Sequence, residues 1–312
     1  MMENFKTTLR NEFRLEKLFF THSNQEDFYK SQWLECHPVL FLALRAAFAL
    51  YQTIVYIYSV AAEPWKPGPT RRHFNLAFIT RWTYALLTAY QLVAFVVALI
   101  GFYKSRERLR QKRQRPRRDA PSNEENQTAT SGMLEIEKPN AVGCDDQSKK
   151  PLVNQGLIKL HWLLYEATLN SSFIISLMYW GFVHKSEPFK FDTYAAHAFN
   201  SVMMVVDFSV NAVPVRLLHV VYTMVFSTVY VIFTVIYFAV DPENNVLYLG
   251  VLDWRRPGKA TVVCLCLVFL VVPLFQTFWF VLYRIKLLVT KIHNRSKENA
   301  KSNGQVHNDT RQ

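Results

Sequence analysis

TYAAHAFNSVMMVVDFSVNAV, residues 193–213, is the stretch on which the reading of this chain turns. A bilayer span needs about 20 mostly apolar residues, and this segment has that length and character. Yet it carries His197, Asn200, Asp207 and Asn211. Together with Met204 these residues step by three or four positions, so they share one helix face. The opposite side is Val, Met and Phe. A carboxylate at bilayer depth costs about 2.5–3.5 kcal/mol on insertion scales, so such a face must look into a protein interior or a wet cavity. The segment predicts an all-α, multi-pass transmembrane helical bundle with a polar interior.

Working outward, six segments reach or approach span length. The first runs from about Pro38 to Ala61 and contains Arg45. The second runs from Phe74 to Tyr103, with Thr80 and Arg81 near its start. The third runs from Leu157 to Val183, and the fourth is the polar segment. The fifth runs from Leu217 to Val240 and the sixth from Thr261 to Tyr283. Pro214 and Arg216 separate the fourth from the fifth, a turn so short that the two helices should be antiparallel neighbours. The chain then divides into a cytosolic N-terminal segment (1–37), a two-span half (38–103), a basic and then disordered cytosolic loop (104–156), a four-span half (157–283) and a basic disordered tail (284–312).

Charge supports the even count. The chain has 312 residues, with 36 Lys and Arg against 24 Asp and Glu, and the excess is gathered in blocks. Lys104, Arg106, Arg108, Arg110, Lys112, Arg113, Arg115, Arg117 and Arg118 follow the second span. Arg284, Lys286, Lys291, Arg295 and Lys297 follow the sixth. Basic residues beside spans stay cytoplasmic, so both blocks and both termini belong on the cytosolic side. Lys66, Arg71 and Arg72, before the second span, run mildly against this. Blocks of this kind also argue against a nucleic-acid protein, whose basic residues would line one folded face. The basic run is a topology signal that can also attract anionic lipid, so membrane lipids are the expected partners.

Other features narrow the field. Met1 to Phe20 has no uninterrupted apolar core and no cleavage site, so no signal peptide is expected. Phe5, Leu9 and Phe13 recur every four residues, which fits either an amphipathic helix on the membrane or a solvated tail. The four cysteines (Cys36, Cys144, Cys264 and Cys266) show no disulfide or zinc spacing. Sequons begin at Asn126, Asn170, Asn294 and Asn308; the topology leaves none of them to be glycosylated. Phosphate-binding glycine loops, GxSxG and HExxH are absent, and no cofactor is implied. His161, His197 and His219 come from three helices without ligand-pair spacing, so no metal site is expected. No inverted repeat or matched pair of broken spans points to transport.

Elsewhere in the spans, Thr80, Arg81, His161, Glu166, Asn170 and His219 offer partners to the polar face. Arg45 and Arg81 are suited to neutralise Glu166 or Asp207, because a charge left unpaired there is far more costly. Two readings follow. In one, the polar groups form a hydrogen-bonded network that sets helix register; measured interhelical bonds average about 0.6 kcal/mol, so such a network specifies packing more than it stabilises. In the other, Thr80 is a nucleophile, a histidine is its base, and a tunnel between the helices holds an acyl chain. A threonine hydroxyl needs a base within hydrogen-bond reach.

Several segments, in order, resemble the rolling stone family of animal membrane proteins. The clearest is Val251-Leu-Asp-Trp-Arg-Arg-Pro-Gly258, following Leu247-Tyr248. Others are Phe28-Tyr-Lys-Ser-Gln-Trp33, Arg45-x-x-Phe48, Thr80-Arg-Trp82, His161-Trp162, Tyr179-Trp180, His197-Ala-Phe-Asn200 and Pro214-Val-Arg-Leu-Leu-His219, with Tyr230-Val-Ile-Phe233. The resemblance covers about residues 28–283 without the linker. The name-giver of that family is implicated in myoblast fusion. The resemblance therefore implies a plasma-membrane protein, rather than one of the endoplasmic reticulum, with a role in membrane or cell–cell fusion and protein partners at cell contacts. The pattern is more distantly similar to the androgen-induced intramembrane threonine hydrolases, which cleave fatty acid esters of hydroxy fatty acids with a Thr–His pair. Thr80 matches their threonine. Of their two histidines, three apart, His197 matches the first and Asn200 stands at the second, the catalytic one. An amide cannot serve as a general base at neutral pH, so that likeness implies either that His197 has taken the role, with Asp207 or Glu166 orienting it, or that the hydrolase chemistry is absent, and it leaves open whether the chain is an enzyme.

Overall fold

A computed structural model describes residue 7 and residues 10–33, 36–61, 75–114, 151–184, 191–248 and 250–309. Most of the interhelical loop (115–150), Cys144, and the basic Lys66, Arg71 and Arg72 lie outside the described residues. The described chain is helical. Helix α1 is Pro38–Ala61, α2 is Ile79–Gln114 and α3 is Gln155–Met178. Helix α4 begins as a single turn at Phe191–Tyr194, passes through a π-helical turn at Ala195–Phe199 and continues as Asn200–Val210. Helix α5 is Val220–Val240. Helix α6, Pro257–Cys266, runs through a second π-turn, Leu267–Val271, into α7, Val272–Asp309.

Among the described residues, four helices are long and apolar enough to cross a membrane: Pro38–Ala61, Ile79–Gln111, Leu217–Val240 and Pro257–Lys297. They stand against the six spans expected. The other two expected spans are α3 and α4, which carry most of the interior polar residues. Helix α3 has 24 residues, but its polar content lowers its hydropathy; every residue from Tyr165 to Ser172 is buried. The apolar part of α4, Ala195–Val210, is shorter. At 1.5 Å per residue it spans roughly 24 Å, less than the ~30 Å hydrocarbon core.

The long outer helices show lipid-facing chemistry. Leu50, Ile54 and Ile57 on α1, Val225, Val229, Ile232 and Ile236 on α5, and Phe269, Leu270 and Leu274 near the α6–α7 junction are all exposed. Around α3 the packing is aromatic. Trp162, Tyr165, Tyr84, Tyr90, Phe208 and Trp279 are buried in one cluster. Helix α2 continues beyond the membrane-length stretch to Gln114, so Lys104 to Arg113 ride on a helix rather than in a loop. Residues 284–309, expected as an unstructured tail, likewise continue α7. The first extension is rich in Lys, Arg, Gln and Glu, which are good helix formers, and each propagates from a helix already nucleated.

The N-terminal segment closes one end of the bundle. In it, residue 7 and residues 10–12 are helical, Phe5 and Leu9 of the expected amphipathic stretch lie outside the described residues, and short 3-10 turns follow at Leu15–Lys17 and Gln25–Phe28. Its Phe28-Tyr-Lys-Ser-Gln-Trp33 stretch covers the C-terminus of α4. Gln32 N and Ser31 Oγ both donate to the carbonyl of Val210, at 2.9 Å each. The Trp33 indole donates to Ser209 O at 2.9 Å. From α7, Lys286 Nζ adds bonds to the carbonyls of Phe208 (2.7 Å) and Asn211 (2.9 Å). The last carbonyls of a helix have no intrahelical partner, so these donors supply what the backbone lacks. Tyr29 packs so closely on Gly101 of α2 that a Cβ there would run into its ring.

Candidate functional site: two buried polar networks

The polar face of α4 looks inward, as the spacing predicts. Asn200, Met204, Asp207 and Asn211 are buried, while Val202, Val205 and Val206 on the other side are exposed. Asp207 sits in the first of two networks. Arg45 Nη1 of α1 lies 2.5 Å from Asp207 Oδ1. The Tyr90 hydroxyl of α2 donates to Asp207 Oδ2 at 2.5 Å and accepts from Arg45 Nη1 at 3.3 Å. Asn211 Nδ2 completes the shell of the carboxylate at 3.4 Å. Both members of the ion pair are about 2 % exposed, so the two charges have left solvent together. Such a pair is neutral as a unit, and its worth lies in what happens when one half is removed.

His161 of α3 stacks parallel to Tyr90, with ring centroids 5.6 Å apart and an interplanar angle of 3°. Neither of its ring nitrogens meets a hydrogen-bonding group, and the same is true of the neighbouring Tyr165 hydroxyl.

The second network surrounds Glu166, one turn along α3. Its Oε1 accepts from Arg216 N (3.0 Å) and His219 Nδ1 (3.2 Å), and its Oε2 from Gln276 Nε2 (3.0 Å). Gln276 Nε2 also donates to Arg216 O at 2.6 Å. Asn170 Nδ2 binds Gln276 Oε1 (2.6 Å), Thr223 Oγ1 (3.3 Å) and the Glu166 carbonyl (3.0 Å). The connecting stretch Val213–Arg216 is held down from both sides. The Trp162 indole donates to Pro214 O at 2.7 Å, and the Arg216 guanidinium donates to Glu12 Oε1 at 2.7 Å. Pro214 has no N–H to satisfy, so extended backbone can be buried there at low cost.

The two networks gather Arg45, Asp207 and Asn211 into one group and Glu166, Asn170 and His219 into another. Of the two carboxylates, the one Arg45 neutralises is Asp207. Glu166 is met by a histidine, an amide and a backbone N–H. Tyr90 carries no mark in the sequence and Gln276 only that of a lone amide inside the last apolar run, while Arg216 reads there as a turn residue and Lys286 as one of a basic block rather than as interior donors.

The residues of the hydrolase pattern are placed differently. Thr80, the second residue of α2, is half-buried beside the Tyr248 hydroxyl. His197 lies on the π-turn of α4, stacked flat on Tyr179 at 3.6 Å, with its Nδ1 unpartnered. Arg81 is within electrostatic reach of His197. Among the described residues, no hydrogen bond joins Thr80 to His197. Asp207 lies roughly 15 Å further along the helix than His197 and bonds to Arg45, Tyr90 and Asn211 instead. The role of orienting His197, expected for Asp207 or Glu166, is therefore filled by neither: the first is spent on Arg45 and the second on His219. Asn200 donates back to the carbonyl of Ala196 on the π-turn at 2.7 Å. Among the described residues, no group of three or more His, Cys, Asp or Glu side chains is placed to hold a metal ion.

Comparison with known proteins supplies the lineage. No solved structure matches this chain. A curated relative, protein rolling stone of Drosophila melanogaster, is 26% identical over 299 residues, which cover 93% of this chain and 94% of that protein. A family model described as Protein rolling stone matches residues 140–301, just over half of the chain, which takes in α3 to α6, most of α7 and the residues of α3, α5 and α7 that surround Glu166, but not Arg45 and Tyr90 of the Asp207 network. The chain belongs to the rolling stone family.

Proposed function

We propose that this protein acts at the plasma membrane in membrane or cell–cell fusion of the myoblast type, as a multi-span body whose polar interior sets how its helices pack. The resemblance to rolling stone supports the process and the location. The observation that carries the structural role is that both interior carboxylates are satisfied by the chain itself: Asp207 is taken up by Arg45, Tyr90 and Asn211, and Glu166 by three donors. Bonds of this kind between helices fix their register. They leave the lipid-exposed faces and the basic helix ends to meet membranes and partner proteins.

The test is loss and rescue. Cells lacking the protein should fail to fuse, and a Thr80→Ala protein should restore fusion at wild-type surface level. An Asp207→Leu protein should fail at the stage of accumulation. If Thr80→Ala reaches the surface and does not rescue, the structural reading is wrong.

The unpartnered Nδ1 of His197 favours one second reading, an intramembrane lipid-ester hydrolase using Thr80 and His197. It requires Thr80 and His197 to come within hydrogen-bond reach of one another. A fluorophosphonate probe should then label the protein, and Thr80→Ala and His197→Ala should each abolish labelling. Absent or persistent labelling would end that reading.

A further inference from the structure

The Val251–Gly258 stretch, the segment most like the rolling stone family, takes no part in either polar network. It lies beside two adjoining cavities. The first, of about 100 Å³, opens among the start of α2, the end of α3, the middle of α5 and the end of α6, and its walls include Thr83, Ile175, Tyr230, Tyr248, Val251 and Cys264. Those walls are almost wholly apolar. Thr83, however, is fully buried and its hydroxyl has no hydrogen-bond partner. The second cavity, of about 190 Å³, shares Val251 with the first and is bordered by Asp253, Arg256 and Lys259. Asp253 is already held by Arg255, at 2.9 Å to Nε and 2.7 Å to Nη2. Arg256 and Lys259 are exposed and are the cations of the rim. Arg256 is also the N-cap of α6 and gives that helix start no side-chain hydrogen bond. A helix N-terminus flanked by cations favours an anion.

We propose that these two cavities form one site for an anionic lipid. A few methylenes of one acyl chain enter the apolar cavity, the rest of the chain lies along the exposed apolar helix faces, and the lipid's phosphate or carboxylate head lies against Arg256, Lys259 and the start of α6. Charge complementarity selects the head. An apolar cavity of this kind stays dry, and among exposed apolar helix faces the occupant at hand is a lipid chain. The Thr83 hydroxyl offers a donor to an ester or carboxyl oxygen at the root of the chain. The proposal goes beyond the fusion reading and does not depend on it.

The full chain in nanodiscs would be exposed to two photoactivatable lipids with the same diazirine-bearing acyl chain, one a phosphatidate and the other a phosphatidylcholine. The phosphatidate should crosslink within residues 174–178, 226–231 or 263–267. Arg256→Gln and Lys259→Gln, both on exposed side chains, should each weaken crosslinking by about fivefold. Ile175→Trp should block it by filling the cavity. Excess inorganic phosphate should leave the crosslink in place. Equal labelling by the two lipids, crosslinks confined to the outer helix faces, or indifference to both charge variants would overturn the proposal. Displacement by phosphate alone would overturn the part assigned to the acyl chain. Should Ile175→Trp fail to accumulate, the two charge variants decide the matter.

Discussion

Replacing Arg45 by methionine keeps much of its volume and removes its charge. Asp207 then keeps Tyr90 at 2.5 Å and Asn211 at 3.4 Å, but it is a carboxylate about 2 % exposed without its paired cation, and Lys286, the cation still within electrostatic reach, is held on the carbonyls of Phe208 and Asn211. Removing one member of a buried pair costs about 3–5 kcal/mol, because the other is left as an uncompensated charge. At roughly 2–4 °C per kcal/mol for a domain of some 200 residues, the melting temperature should fall by about 6–20 °C. Asp207→Leu should do comparable damage by stranding the guanidinium. The double variant removes both charges and leaves Tyr90 without its acceptor, at a cost of about 1–3 kcal/mol. It should therefore melt above either single variant. The assay is thermal unfolding in detergent, followed by loss of the monodisperse size-exclusion peak, with exposed Glu243→Gln as the control. The reasoning fails if Arg45→Met melts with the control, or if the effects of the two single substitutions simply add.

Glu166→Gln should cost about 1–3 kcal/mol in the same assay, since its amide N–H₂ must face one of the donors from Arg216, His219 or Gln276. Gly101→Ala should displace Tyr29 and loosen the N-terminal segment, read as faster proteolysis between residues 10 and 33 with little change in overall helicity. The salt link to Arg255 holds the Asp253 carboxyl at about 2, below the usual carboxylate range. The native value lies below the unfolded one, so this contact is fully present above the ordinary carboxylate pKa and is lost as pH falls through about 2. A carbon-13 titration of Asp253 should show that midpoint in the native chain and one near ~4 in Arg255→Gln. A midpoint unchanged by that substitution would show that the link does not hold in solution.

What the sequence determined by itself follows from local chemistry. Twenty-residue apolar runs can only be helices in lipid, because the backbone must satisfy its own polar groups. The three- and four-residue steps from Asn200 to Asn211 place those residues on one face wherever the helix sits. The polar interior, the helical class and the inward face of α4 were legible for these reasons. Only the tertiary structure decided which charge meets which. Arg45 and Asp207 lie 162 positions apart, and periodicity ranks neither Arg45 over Arg81 nor Asp207 over Glu166 as partners. Hydropathy treats each segment alone, so it could not show that α3 hides its amides and carboxylate against α5 and α7. Nor could it show that α4 ends early, where Lys286 and the Phe28–Trp33 stretch take over its last carbonyls. Such pairings depend on distances between helices, which are set by packing and leave no period in the chain.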